Sequence, residues 1–177
     1  MAQYYNFKNI IDDIALLVEK HKQINSFGVG DIKDLIALTQ QITDESYSSK
    51  VSQDNTKNNA PLYPLLYVIP QPVSRDESLI TYTFSVMVCD IDNVKNKNIQ
   101  VDLLSDTLEM LEDVLAQFKY SVNESQGDYY NKYDVNVPAP ITPFIENYED
   151  KLIGWTLQLQ VVVDKPLNRC IAPFNQF

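Results

Sequence analysis

Residues 79–90, LITYTFSVMVCD, alternate in character: Ile80, Tyr82, Phe84, Val86 and Val88 fall on one side of an extended chain, and Thr81, Thr83, Ser85, Met87 and Cys89 on the other. An amphipathic helix repeats its apolar positions every three or four residues, so a period of two over this length excludes one. The stretch predicts a half-buried strand. LIGWTLQLQVVVDKP near the end of the chain repeats the pattern, with Trp155, Leu157, Leu159, Val161 and Val163 on one face and Thr156, Gln158 and Gln160 on the other. A sheet is therefore required, and apolar elements must cover it.

The helices that could do so have their own signature. Tyr4, Phe7, Ile10, Ile11, Ile14, Leu17 and Val18 fall three and four apart, which predicts a helix from Tyr4 to His21. Val101, Leu104, Leu108, Leu111, Leu115 and Phe118 form an unbroken stripe over residues 99–119, the clearest helix in the chain. Phe27-Gly28-Val29-Gly30 reads as the turn that ends the first helix, because glycine tolerates the backbone of a helix stop. Asp31 can then cap DIKDLIALTQQI, a helix with a strand as the alternative. LYPLLYVIP reads as a buried or edge strand with prolines at its borders, where a missing N–H does least harm. QPVSRDES turns it into residues 79–90 as an antiparallel hairpin.

Two stretches interrupt these elements. Residues 43–61, TDESYSSKVSQDNTKNNAP, hold few large aliphatics and cannot bury enough surface to offset ordering entropy, so they read as a long arm. Residues 119–143 form a second irregular stretch, whose prolines at 138, 140 and 143 disfavour regular structure in its later part. The expected fold is one domain over 1–177, α+β (mixed α/β), with a central, largely antiparallel sheet flanked by helices and two long polar arms or loops.

Charge and composition narrow the function. A net charge of −10 repels phosphate backbones, and no basic stripe offsets it, so tight DNA binding is not expected. No apolar run approaches the ~20 residues of a spanning helix, and the N-terminus lacks the pattern of a signal peptide, so a protein made and used in the cytosol is expected. Cys89 and Cys170 are too few and too far apart for a disulfide framework or a zinc knuckle and read as buried thiols.

Catalytic chemistry finds little material. His21 is the only histidine and sits near a helix C-terminus with no triad partner nearby in sequence, so no catalytic residue is assigned. Gly28-Val29-Gly30 lacks the third glycine and the Lys-Ser/Thr pair of a phosphate loop. Asp102, Asp106, Glu109 and Asp113 project as one carboxylate row on the helix. Such a row could hold a divalent cation for a hydrolase, but two-metal chemistry needs ligands converging from several elements; a solvated or channel-facing acidic face is the plainer reading, and no metal or cofactor is assigned. Tyr129, Tyr130 and Tyr133, in a polar loop with only Lys132 between them, suit a protein contact better than base stacking. Asn55 and Lys57 on the first arm are further interface candidates.

The arrangement as a whole resembles a known family. A start helix, then YPLLYVIP, LITYTFSVMVCDID, LLSDTLEMLEDVLAQF and ITPFIENYEDKLIGWTLQLQVVVDKPLNRCIAP are similar to the tail-terminator or tail-completion proteins of bacteriophages and to related neck ring proteins, including those of crAss-like and other phages of gut Bacteroidetes. The similarity rests on Tyr63-Pro64-Leu65, Ser105-Asp106-Thr107, Pro143-Phe144 with Gly154-Trp155, and Cys170-Ile171-Ala172-Pro173. It implies a non-enzymatic virion subunit, assembled in the host cytoplasm into a ring of six, or alternatively twelve, copies. The ring would join portal, connector and tail proteins while DNA passes through without specific binding and no membrane is involved. Asp102, Asp106, Glu109 and Asp113 would then face the lumen, and the two arms would clasp neighbouring copies. The alternative is a monomeric phage or bacterial adaptor that binds a protein partner through the tyrosine-bearing loop.

Overall fold

In the computed structural model, which describes residues 5–41, 62–91, 97–124, 133–147 and 151–167, the two alternating segments lie side by side at the centre of one sheet. β4 (Leu79–Ile91) and β7 (Lys151–Asp164) pair antiparallel along nearly their whole lengths, from Leu79 opposite Asp164 to Ile91 opposite Leu152. β2 (Leu65–Pro70) lines the other side of β4, antiparallel, with Val68 opposite Val86. The fold is mixed α+β: a seven-stranded, mostly antiparallel sheet packed against three helices.

The four remaining strands depart from the sequence reading. Residues 27–30 were expected to turn; instead β1 (Ser26–Val29) adds parallel to β2, with Gly28 opposite Tyr67. None of the described glycines has a positive φ, so the motif answers a different need. A Cβ on Gly28 would run into the Tyr67 ring, and one on Gly30 into the Tyr67 hydroxyl and the Asp34 carboxylate. The glycines leave room for a phenol to lie across the edge strand. β5 (Asp134–Val135) and β6 (Ile141–Asn147) pair with β7 along its outer side, so parts of residues 119–143 are sheet, while Pro138 and Pro140 lie in the irregular link between the two strands, as expected. Pro143 sits inside β6, opposite Trp155, because among the described residues β6 pairs with β7 alone and its missing donor can face away from the ladder. The turn QPVSRDES contains the two-residue β3 (Ser74–Arg75), which pairs with the start of β4.

The helices follow their apolar spacing. α1 (Phe7–Lys20) begins at Asn6, whose side chain accepts from the Asn9 N–H while Asn9 answers to the Asn6 N–H, a reciprocal cap that satisfies two otherwise orphaned donors. α2 (Ile32–Gln41) is a helix rather than a strand; Asp31 caps it by accepting from the N–H groups of Lys33 and Asp34. α3 (Lys97–Glu124) is longer than its stripe predicted, extending at both ends.

Each face of the sheet has its own core. Ile10, Ile14 and Val18 of α1 and Met110, Leu111, Val114 and Phe118 of α3 bury the face formed by Leu66, Val68, Phe84, Val86, Leu157, Leu159 and Val161. On the opposite face a smaller cluster gathers Leu35 of α2 with Tyr63, Leu65, Tyr67, Met87, Cys89 and Leu152. The expected half-buried strand is thus buried on both sides at its C-terminal end. Gly154 stands opposite Cys89 where the two backbones run so close that a Cβ would strike the Val88 carbonyl. Glycine is there for close approach, not for conformational freedom.

Candidate functional site

α3 carries the carboxylate row singled out in the sequence, and its docking is specific. Thr107 is fully buried, and its hydroxyl donates back to the Leu103 carbonyl at 2.6 Å, so a polar atom enters the core without losing a partner. The Trp155 indole N–H of β7 donates to the Leu104 carbonyl at 2.7 Å. One bond from the sheet thereby fixes the height of the helix above β7. Farther along, the Tyr133 hydroxyl donates to the Phe118 carbonyl at 3.0 Å, and its ring stacks between Tyr5 and Phe118 with centroids 4.7 and 4.8 Å away.

This placement corrects the reading of Tyr133 as an interface candidate: it is a core residue that staples the segment before α1, α3 and the start of β5 together. Aromatic residues in a polar loop resemble an interface patch in sequence, and only the third dimension distinguishes them. Tyr129, Tyr130, Asn55 and Lys57 lie outside the described residues.

The apolar stripe is also displaced from its expected register. Leu111 and Phe118 are buried as expected, but Thr107, Met110 and Val114 complete the buried face. Leu104, Leu108 and Leu115 are only half-buried, and Val101 is 65% exposed. At 100° per residue these four positions lie on one flank of the helix, while Asp102, Asp106, Glu109 and Asp113 lie on the other.

All four carboxylates are exposed. From Asp102 to Asp113 the row spans about 16 Å of helix at 1.5 Å per residue. Among the described residues no grouping of three or more His, Cys, Asp or Glu side chains could hold a metal ion, so the row stays linear and does not converge. Its ends are tied differently. Asp113 lies 3.5 Å from Nε2 of His21. Nδ1 of that imidazole accepts from the backbone N–H groups of Gln23 and Ile24, so the ring proton belongs on Nε2, facing the carboxylate. His21 thus closes the turn after α1 and joins α1 to α3. Near the other end, burial pushes the Asp90 carboxyl above the usual range and the Asp106 charge adds to the shift, while the Ile91 N–H opposes it.

The remaining groups of chemical interest are shielded. Cys89 is fully buried, and desolvation, with the neighbouring Asp90 charge, pushes its thiol up to about 12, which leaves no thiolate at neutral pH. Tyr5 donates to the Asp13 carboxylate, and burial followed by that bond raises its phenol far above the ordinary value. Cys170 lies outside the described residues. No helix among the described residues is long and apolar enough to cross a membrane. No protein-family model matches the chain, and no curated protein matches its sequence.

Proposed function

We propose that the chain is a non-enzymatic ring subunit of a phage neck or tail, built to stand between portal, connector and tail while DNA passes through. The observation that carries this reading is the exposed carboxylate row of α3, held straight by Trp155, Tyr133 and His21 on a chain of net charge −10. Repeated around a closed ring and turned inward, the row gives DNA a wall that repels it and does not retain it. The sequence resemblance to tail-terminator and neck ring proteins supports the same assignment. Closed rings use head-to-tail contacts in which each copy offers different patches to its two neighbours, a demand that suits a rigid sheet with dissimilar edges. The adaptor reading is weaker once Tyr133 is counted in the core.

The decisive experiment has two parts. Native mass spectrometry of the purified chain should show a discrete species of six or twelve copies, and the chain should be found in purified phage particles at a stoichiometry to match. Persistent monomer together with absence from particles overturns the proposal.

A further inference from the structure

We infer that His21 is a pH-sensitive latch: a proton gained at Nδ1 turns the acceptor that closes the turn between α1 and β1 into a donor, and so loosens the start of β1. The latch lies within one chain and needs no neighbouring copy. His21 ends α1 in an extended conformation, and its own N–H donates to the Leu17 and Val18 carbonyls. Its side chain folds forward over the turn, where Nδ1 accepts from the Gln23 N–H at 3.2 Å and the Ile24 N–H at 3.3 Å. Ile24 is fully buried and pins the turn to the core. Asn25 follows at once, donating from its backbone to the Pro64 carbonyl and from its side chain to the Tyr63 carbonyl, and β1 begins on β2 at Ser26. Among the described residues β1 pairs with β2 alone, so the shape of this turn sets how an outermost strand is held.

The chemistry of the ring makes this closure conditional on charge. A neutral imidazole accepts at one nitrogen and donates at the other, whereas a charged one donates from both and accepts at neither. Imidazole is the side chain that ordinarily changes charge between about pH 5 and pH 8. With Nδ1 protonated, its N–H would point at those of Gln23 and Ile24, and the turn must open to part them. Turning the ring over about χ2 gives no escape, because a carbon then stands where Nδ1 stood. The charged groups around the ring do not reverse the balance. From α3 the Asp113 carboxylate faces Nε2 at 3.5 Å and favours the charged form, but its side chain is 70% exposed and water screens the attraction. Lys20 and Lys22 flank His21 on its own segment and oppose a further positive charge. Leu17 and Val18, to whose carbonyls its N–H is tied, and the residues of β1 carry none. Protonation thus exchanges two accepted hydrogen bonds for one solvent-screened attraction, and the turn gives way.

Amide-resolved NMR of the full chain between pH 7.5 and pH 5 tests the latch, and since His21 is the only histidine its ring signals report the proton directly. As the ring gains its proton, the exchange protection of the Gln23 and Ile24 amides, corrected for the intrinsic pH dependence of exchange, should fall about fivefold or more, the equivalent of one net hydrogen bond. The Lys33 and Asp34 amides donate to the Asp31 carboxylate and should keep their protection over the same range. His21→Asn puts an oxygen that accepts at every pH where Nδ1 stood, so it should leave Gln23 and Ile24 protected at pH 5 and abolish the response. Protection at Gln23 and Ile24 that is unchanged down to pH 5, whether or not the ring has titrated, overturns the inference. So does a His21→Asn variant with the wild-type response, and so does an equal loss at Lys33 and Asp34, which would mean general loosening in acid and no latch.

Discussion

The two faces of the sheet are built from alternate residues of the same strands, yet they meet opposite demands. On the face under α1 and α3, Phe84, Val86, Leu157, Leu159 and Val161 are buried without a break. On the other, Met87, Cys89 and Leu152 are buried beside α2, but the strands change character along their length to Thr81, Thr83, Gln158 and Gln160. There the side chains satisfy one another: Gln158 donates to Ser85 at 2.9 Å and Asn136 to Gln160 at 3.1 Å. One face is closed by two helices and the other is closed at one end only, so the stability of the fold is concentrated on the first, and the second has an end that tolerates change.

That contrast can be broken most directly at Phe84, which is fully buried on the closed face. Phe84→Ala should cost about 3 to 5 kcal/mol, read as a fall in the urea midpoint; a loss near zero would mean that the two faces are not unequal. Gly154→Ala probes the closed end of the second face, where the added methyl meets β4 backbone that cannot step aside. A loss of about 3 kcal/mol is expected in the same titration. Trp155→Phe keeps most of the ring and removes the bond to Leu104, and should cost about 1 to 2 kcal/mol for a carbonyl left without this donor. A melting curve suffices, and an unchanged midpoint would show that α3 is held by packing alone.

Asp90→Asn should act in the opposite direction. The carboxyl is raised in the folded chain, so its ionised form is penalised on folding; the penalty is absent below the unfolded pKa and develops as pH rises through the folded one. The amide variant should therefore be more stable at neutral pH, by less than about 1 kcal/mol for a half-exposed group screened by solvent, and should lose its advantage on acidification. Melting at pH 7 and pH 3 checks both the sign and its disappearance. Smallest of all is Thr83→Lys at the open end, expected within about 0.5 kcal/mol of the wild type in the urea titration, since it breaks no buried contact.

Much of this architecture was legible in the sequence because it rests on periodicity. The alternation in β4 and β7 identified the closed face residue by residue, and the spacing in α1 and the Asp31 cap were visible for the same reason. The misreadings came where a long-range partner decides. Gly28 and Gly30 look like a helix stop until Tyr67, far along the chain, is seen lying over them. Pro143 looks like a strand breaker until β6 is seen to pair, among the described residues, with β7 alone. The α3 stripe named the helix correctly but could not show which part of a broad apolar surface the sheet would take. Of the candidate site, the carboxylate row was legible as a row, and its ties to His21 and Asp90 were not, since neither is near it in sequence.

The phenol of Tyr67 spans more than the edge strand. Its ring rests on Gly28 and its hydroxyl donates to the carbonyl of Asp31, the residue that starts α2. The outermost strand and the onset of the helix on the second face are thereby latched by a single side chain. Loosening either one strips packing or a hydrogen bond from the other, so the strand and the helix start are coupled in stability through one aromatic ring.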